Sequence, residues 1–235
     1  MPDADTLAER LQRVVARVRA AEARFGRVPG SVTLLPVSKT HPAGAIAAVA
    51  ALGYRAFGES YVQEALAKIE ALAALNLQWH FIGPIQSNKT QAIAQRFHWV
   101  HSVDRDKIAR RLDEQRPAAL PPLNICLQVN VSGEATKSGV TVGELPALAA
   151  SIAHYPHLRL RGLMAIPEPS HDFETQRAAF RRLRLAFEYL NAAGYEIDTL
   201  SMGMSSDLEA AIAEGATIVR VGTDIFGART KHDPP

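Results

Sequence analysis

Eight short apolar stretches alternate with helical stretches along almost the whole chain. Most of these stretches are rich in β-branched or aromatic residues, and each is followed by a loop and a helix-forming segment. The predicted strands are 32–39, 55–59, 77–82, 99–103, 123–131, 158–166, 199–204 and 217–222. Strict alternation of strands and helices is typical of a parallel sheet. Eight such units in 235 residues match the number and the length that form a (β/α)8 TIM-type barrel.

An open, doubly wound sheet is the alternative arrangement. It is disfavoured because no G-x-G-x-x-G motif follows the first strand. Residues 3–26 predict an extra amphipathic helix before the barrel. The barrel itself is expected over 32–227 and a polar tail over 228–235, so that residues 1–235 form a single domain.

Charge and cysteine content narrow the classes of function. The chain has 26 basic and 24 acidic side chains, a balance that argues against a nucleic-acid partner. No apolar run is long enough for a membrane span, and the acidic N-terminus lacks an export signal. We therefore expect a cytoplasmic monomer without a membrane partner.

Cys126 is the only cysteine and is predicted to pack in a strand. His98 and His101 fall on opposite faces of the fourth strand, so no metal site is predicted.

Lys39 is the residue on which the functional interpretation depends. It ends the first predicted strand, and His41 and Pro42 stop the run. A lysine at the end of a buried strand has three possible roles: its ammonium group reaches solvent, it binds an anion, or it acts as a desolvated nucleophile. The last role suits a Schiff base.

The ends of the seventh and eighth strands are candidates for a phosphate site. Barrels of this type often bind phosphate there. Ser205 and Ser206 follow the seventh strand, and Gly222 and Thr223 follow the eighth. The alternative for Ser206 is an ordinary helix N-cap, because Ser206 to Glu209 has the S-x-x-E pattern of a capping box.

Arg220 lies on the eighth predicted strand, on the same face as Gly222. A buried guanidinium group needs an acceptor, which is either a structural carboxylate or the ring nitrogen of a ligand. A lysine, a phosphate site and an arginine at one barrel mouth together are typical of a site for pyridoxal phosphate (PLP).

Six motifs carry a resemblance to a known family. They are PVSKT (Pro36–Thr40), FGESYVQE (Phe57–Glu64), HFIGPIQSNK (His80–Lys89), GLM (Gly162–Met164), SMGMSSD (Ser201–Asp207) and RVGTDIFG (Arg220–Gly227). In combination they resemble the pyridoxal phosphate homeostasis protein family, over nearly the whole chain. That family has the barrel of the N-terminal domain of alanine racemase without its second domain, which is the fold that the resemblance implies.

The resemblance implies a role for each matching residue. Lys39 would carry PLP covalently as the internal aldimine, and Arg220 would face the pyridine nitrogen. The residues expected to bind the phosphate are Ser205, Ser206, Gly222 and Thr223. Further contacts to the cofactor are expected from Val37, Ser60, His80, Met164 and Ser201. Ser60 departs from the family pattern, since the usual residue is an asparagine and its amide is missing here.

Two functions remain open for such a site. An arginine beside the ring nitrogen disfavours ring protonation, so the ring would be a poor electron sink. A racemase also needs a second base opposite Lys39, which alanine racemase takes from its second domain. We therefore expect a carrier or reservoir for intracellular PLP homeostasis without substantial turnover, with apo forms of PLP-dependent enzymes as partners. The alternative is a small fold-type III amino-acid racemase using His80 or Tyr61.

Overall fold

Eight parallel strands form one sheet in the computed structural model, which describes residues 6–132 and 138–228. The strands are β1 (Thr33–Pro36), β2 (Ala56–Glu59), β3 (Gln78–Phe81), β4 (Trp99–Val103), β5 (Leu123–Gln128), β6 (Leu158–Met164), β7 (Thr199–Ser201) and β8 (Ile218–Val221). Their order in the sheet is β1-β8-β7-β6-β5-β4-β3-β2. From β2 to β8, neighbours in the chain are therefore neighbours in the sheet, β8 lies beside β1, and β1 and β2 are the two edge strands.

Helices follow the strands in regular alternation. Within the described ranges they are α1 (Leu7–Arg24), α2 (Ala43–Ala51), α3 (Val62–Ala71), α4 (Thr90–Arg96), α5 (Asp106–Gln115), α6 (Leu145–Ile152), α7 (Phe173–Ala192), α8 (Leu208–Ala213) and α9 (Thr223–Phe226). Parallel strands need such crossover connections, because each strand must return to the same end of the sheet.

The two edge strands of the sheet meet just beyond β1. Val37 forms a parallel bridge with Gly58 of β2, and the Ser38 N–H donates to the Gly58 carbonyl oxygen at 2.9 Å. This bridge brings the edges of the sheet together into a nearly closed barrel. The predicted (β/α)8 TIM-type barrel is confirmed, and the doubly wound alternative is wrong.

Side chains on the two faces of the strands have different surroundings. The outward residues, such as Phe81, Val100 and Val219, join one large apolar cluster with the helices. Trp99, Cys126 and Met164 form a separate small cluster, and their alternation with the outward residues places them inside the barrel. Cys126 is fully buried, as predicted.

The N-terminal helix begins and ends inside the predicted range. α1 starts after Thr6, whose hydroxyl accepts from the Glu9 N–H while the Glu9 carboxylate accepts from the Thr6 N–H. Its apolar face packs against α8 and α9. Residues 3–5 of the predicted helix, and 229–235 of the predicted tail, lie outside the described residues. The single-domain assignment stays a prediction.

Several strands are shorter than predicted at their C-terminal ends. β1 ends at Pro36 rather than at residue 39, β5 at Gln128 rather than 131, and β7 at Ser201 rather than 204. Beyond these ends the pairing of β1 and β5 continues only as isolated bridges at Val37 and Val129, and the residues that follow form loops at one mouth of the barrel. Lys39 therefore lies in a loop at this mouth.

Candidate functional site

Lys39 is half-buried and follows the Val37–Gly58 bridge. The next residue, Thr40, has φ of 67°, a left-handed conformation that is uncommon for a β-branched residue. The Thr40 hydroxyl oxygen is buried and has no hydrogen-bond partner among the described residues. Backbone strain and an unpaired buried hydroxyl beside a lysine are typical of a functional site.

Two carboxylates bind the residues on either side of Lys39. The Ser38 hydroxyl donates to Glu59 Oε1 at 2.6 Å, and the Thr40 N–H donates to Glu64 Oε1 at 2.6 Å. Burial raises the pKa of the Glu59 carboxyl, and a neighbouring ammonium group opposes this effect. Neither carboxylate was predicted from the sequence, because nothing in a strand-end motif shows which backbone groups a carboxylate will reach.

Arg220 is almost completely buried, and oxygen atoms of two residues accept from it. Its Nη1 donates to the Ser201 carbonyl oxygen at 2.5 Å and to Ser201 Oγ at 2.7 Å, and its Nη2 donates to the Ala165 carbonyl oxygen at 2.9 Å. The ion pairs found among the described residues do not include Arg220, so no carboxylate there is its direct acceptor. Burial lowers the pKa of Arg220 to about 10, which Asp207 partly opposes, and the side chain is protonated at neutral pH.

A hydrogen-bonded chain continues from Arg220 across the barrel interior. Ser201 Oγ lies 2.7 Å from His101 Nδ1, His101 Nε2 lies 3.0 Å from His80 Nδ1, and His80 Nε2 lies 3.2 Å from Gln78 Oε1. Because Arg220 can only donate, the Ser201 hydroxyl accepts from it and donates to His101. Each imidazole then accepts a hydrogen bond at Nδ1 and donates one at Nε2. All hydrogen bonds from Arg220 to Gln78 can therefore be donated in the same direction.

Both histidines in this series of hydrogen bonds, His80 and His101, are neutral. Burial lowers the pKa of His80 to about 3, and it lowers the pKa of His101 well below the usual value. His80 also stacks on Trp99, with ring centroids 5.4 Å apart. The contact of His101 with Ser201 could not be predicted from the sequence, where His101 was a candidate only for a metal site, because the two residues are 100 positions apart.

The N-cap alternative for Ser206 is wrong. The N-cap of α8 is Asp207, which makes no side-chain cap. Its carboxylate instead accepts from the Met204 N–H at 2.6 Å, which turns it back into its own loop. Burial raises the pKa of Asp207. The Ser206 hydroxyl therefore does not cap the helix. Of the two roles considered for Ser206, phosphate binding is the one that is left.

Backbone N–H groups are available at the ends of β7 and β8. In the part of the chain that the structure describes, no hydrogen bond is donated by the backbone N–H groups of Ser205, Ser206, Gly222 and Thr223. Hydroxyl groups of three of these residues lie in the same two loops. Unpaired N–H groups and hydroxyls on neighbouring strand ends suit an anion with several oxygen atoms.

Arg17 of α1 links these two loops from outside the barrel. Its Nη2 donates to the Ser205 carbonyl oxygen at 2.9 Å, its Nε to Glu209 at 2.9 Å and its Nη1 to Asp224 at 2.8 Å. The N-terminal helix therefore holds the loop after β7 against the residues after β8. This role of the helix was not predicted from the sequence.

The remaining predicted site residues lie at the same mouth or just inside it. A Cβ atom at Gly222 would lie 3.1 Å from the Val37 carbonyl oxygen, and one at Gly83 would lie 2.2 Å from the Ser60 carbonyl oxygen. Both glycines therefore allow a close approach of two backbones. Met164 ends β6 and is fully buried.

No group of three or more histidine, cysteine, aspartate or glutamate residues in the described ranges is placed to hold a metal ion. No helix between residues 6 and 228, outside the gap at 133–137, is both long and apolar enough to cross a membrane.

Comparison with known proteins assigns the family. The model of the alanine racemase N-terminal domain matches residues 10–230. The pyridoxal phosphate homeostasis protein of Pseudomonas aeruginosa is 62% identical over 229 residues, which cover 97% of this chain and 98% of that protein. The chain belongs to the pyridoxal phosphate homeostasis protein family. The resemblance drawn from the six sequence motifs is confirmed.

Solved structures agree with this membership. A structure of PipY from Synechococcus elongatus with PLP bound has 38% sequence identity to this member of the family and a TM-score of 0.83. The match covers 94% of the present chain and all of the PipY chain. Alanine racemase from Corynebacterium glutamicum is only 16% identical, with a TM-score of 0.68 over 93% of this chain and 62% of the racemase. This second likeness shows the shared fold alone.

Proposed function

We propose that this protein binds PLP covalently through Lys39 at the barrel mouth. The observation that carries the proposal is the placement of an amine and an anion site on adjacent strand ends. β8 is hydrogen-bonded directly to β1, so the unpaired N–H groups after β8 lie beside the loop of Lys39. The PLP-bound structure of PipY, a relative with this fold, supports the same assignment.

The residues present fit the chemistry of PLP. Ser205, Ser206, Gly222 and Thr223 would hold the phosphate through N–H and hydroxyl groups. Arg220 keeps its Nε–H and one Nη2–H without an acceptor in the described residues, and these would face the ring nitrogen. Further contacts would come from Val37, Ser60, Met164 and Ser201, and from His80, whose two ring nitrogens are already hydrogen-bonded within the barrel.

We further propose that the protein stores or delivers PLP without substantial turnover. When bound, PLP supplies an aldehyde and a ring that withdraws electrons best when its nitrogen is protonated. A protonated Arg220 beside that nitrogen disfavours ring protonation, since two like charges would lie close together. The name of the Pseudomonas aeruginosa relative supports a homeostatic role.

The racemase alternative lacks a suitable second base. His80 has a pKa of about 3 and both of its ring nitrogens are engaged, so it is a weak base with no free lone pair. The Tyr61 side chain is largely exposed, at 54% of its accessible surface, and so lies outside any dry site. A positioned acid–base partner typically contributes about 10²–10⁴-fold in rate, which would be lost here.

The proposal also includes that the protein is a monomer, that it is located in the cytoplasm, and that it delivers PLP to apo-enzymes.

Two assays test this function together. The first follows exchange of the Cα proton of alanine and serine for deuterium in heavy water, with the PLP-loaded protein. The second mixes the loaded protein with a PLP-dependent apo-enzyme and a PLP scavenger, and follows recovery of enzyme activity. We expect no rapid exchange, and recovery of activity that survives the scavenger. Rapid exchange with inversion would establish a racemase instead.

The two serines after β7 provide a test of the phosphate site. Ser205→Ala combined with Ser206→Ala removes two hydroxyl donors, each contributing about 1.5–3 kcal/mol to a charged acceptor. The affinity for PLP should fall by at least about tenfold while the fold persists. Titration of PLP by its absorbance measures the change. Ser31→Ala, before β1 at the opposite end of the barrel, is the control. Unchanged affinity in the double variant would contradict the assignment.

A further inference from the structure

A second, buried ammonium group lies next to the loop that carries Lys39. Lys68 of α3 is only 6% exposed. Its Nζ donates to the Ser38 carbonyl oxygen at 2.8 Å, to Glu59 Oε1 at 2.7 Å and to Glu64 Oε1 at 2.5 Å. A lysine ammonium group has three N–H donors, and all three are used here.

The acceptors of this ammonium group also bind the residues that flank Lys39. Glu59 Oε1 accepts from the Ser38 hydroxyl at 2.6 Å, and Glu64 Oε1 accepts from the Thr40 N–H at 2.6 Å. The chain is therefore held immediately before and immediately after Lys39. The left-handed Thr40 needs such support, because this conformation is unfavourable for a β-branched residue.

We infer that Lys68 is a positioning residue, which fixes the backbone of Lys39 in the geometry required for attachment to PLP. This inference rests on the proposed PLP-binding function. Attachment joins Lys39 Nζ to the aldehyde carbon of PLP as a C=N bond and releases one water, with no oxidant or reductant. Because a covalent bond demands a defined position and direction of the amine, a displaced loop weakens attachment more than it weakens phosphate binding.

The same network explains why Lys68 does not compete for the aldehyde. Attack on a carbonyl carbon requires an amine with a free lone pair. Lys68 has all three N–H groups engaged by two carboxylates and a carbonyl oxygen, so its nitrogen offers none. The two lysines thus have separate roles at one barrel mouth: Lys39 attaches the cofactor and Lys68 orders the loop.

The variants must separate positioning from folding. Lys68→Met alone would leave Glu59 as an unpaired, fully buried carboxylate, which destabilises the fold itself. Lys68→Met combined with Glu59→Gln removes both charges together. Glu64→Ala breaks the bond to Thr40 at a side chain that is 29% exposed, and so tests the loop with less risk to the core. Lys107→Met, at an exposed position of α5, is the matched control.

Two ligands separate attachment from general binding. PLP has the aldehyde, whereas pyridoxine 5′-phosphate has the same ring and phosphate with an alcohol in its place. In the double variant we expect the dissociation constant for PLP to rise at least about tenfold, with less adduct on Lys39 after borohydride reduction and peptide mass mapping. The constant for pyridoxine 5′-phosphate should change less than about twofold. Glu64→Ala should shift both measurements in the same directions by a smaller factor, and Lys107→Met should leave them unchanged.

Each result has a defined consequence. An equal loss of affinity for both ligands would show that the network supports the pocket as a whole, and an unchanged PLP affinity would show that it has no role; either overturns the inference. Should the double variant be unfolded, as thermal melting will reveal, Glu64→Ala alone decides. The proposed function fails separately, if wild-type protein forms no adduct on Lys39.

Discussion

Replacing Lys39 with alanine should abolish covalent attachment of PLP altogether. The variant loses the amine that forms the bond, and Lys68 cannot replace it because its three N–H groups are engaged. At a PLP concentration of 100 times Kd, binding stabilises a protein by about 2.7 kcal/mol, and the variant should lose most of this. The shift of the unfolding temperature on adding PLP, together with peptide mapping after borohydride reduction, measures the effect.

Lys89 provides the comparison for this experiment. It lies in a short 3₁₀ turn after β3, within one of the six family motifs, yet it does not end a strand next to the anion site. Lys89→Ala should keep the adduct on Lys39. An adduct found on Lys89, or on Lys137, which lies outside the described residues, with Lys39 unmodified would overturn the assignment.

Acid should destabilise this protein through His80 and His101. Both are neutral in the folded protein, and burial lowers the pKa of His80 to about 3. In the unfolded chain a histidine has a pKa of about 6.5, so as pH falls below that value the unfolded state binds protons first. Stability is therefore complete above about pH 6.5 and falls by about 1.4 kcal/mol per pH unit for each histidine, until the folded pKa is reached. At pH 5 this amounts to roughly 2 kcal/mol for His80, and His101 acts in the same direction.

Urea unfolding at pH 7.5 and pH 5 measures this loss. The carboxylates also titrate, but they do so in the wild type and in a histidine variant alike, so the comparison cancels them. His80→Gln should lower stability at pH 7.5, because the ring stacks on Trp99, yet it should reduce the loss between the two pH values by roughly 2 kcal/mol. His171→Gln, at an exposed position, is the control. An identical loss in wild type and His80→Gln would contradict the assignment.

The pattern of the chain alone determined the architecture. Strand–helix alternation depends on the polarity of residues a few positions apart, so it can be read locally, and it predicted a barrel with eight strands. The same local reasoning placed Lys39, Arg220 and Gly222 on or next to the ends of β1 and β8. Since parallel strands end at one mouth, sequence order was enough to predict that these residues share a site.

Only the tertiary structure decided how these residues are held. The partners of Arg220 are the hydroxyl and carbonyl of Ser201 and a second carbonyl, not the carboxylate that its charge suggests. An N-cap was the alternative to phosphate binding for Ser206, but the N-cap of α8 is Asp207. These contacts depend on where the barrel places groups that are distant in the sequence, and a motif carries no such information.

Several links that position the site join residues far apart in the sequence. Arg17 reaches the loops after β7 and β8 across 188 to 207 positions, and His101 reaches Ser201 across 100. Even Lys68, which is nearer, meets the Ser38 carbonyl only because α3 packs beside the end of β1. The sequence thus determined which residues are present at the barrel mouth, whereas the folded chain determined their partners, because a buried donor takes whichever acceptor the closed barrel places within reach.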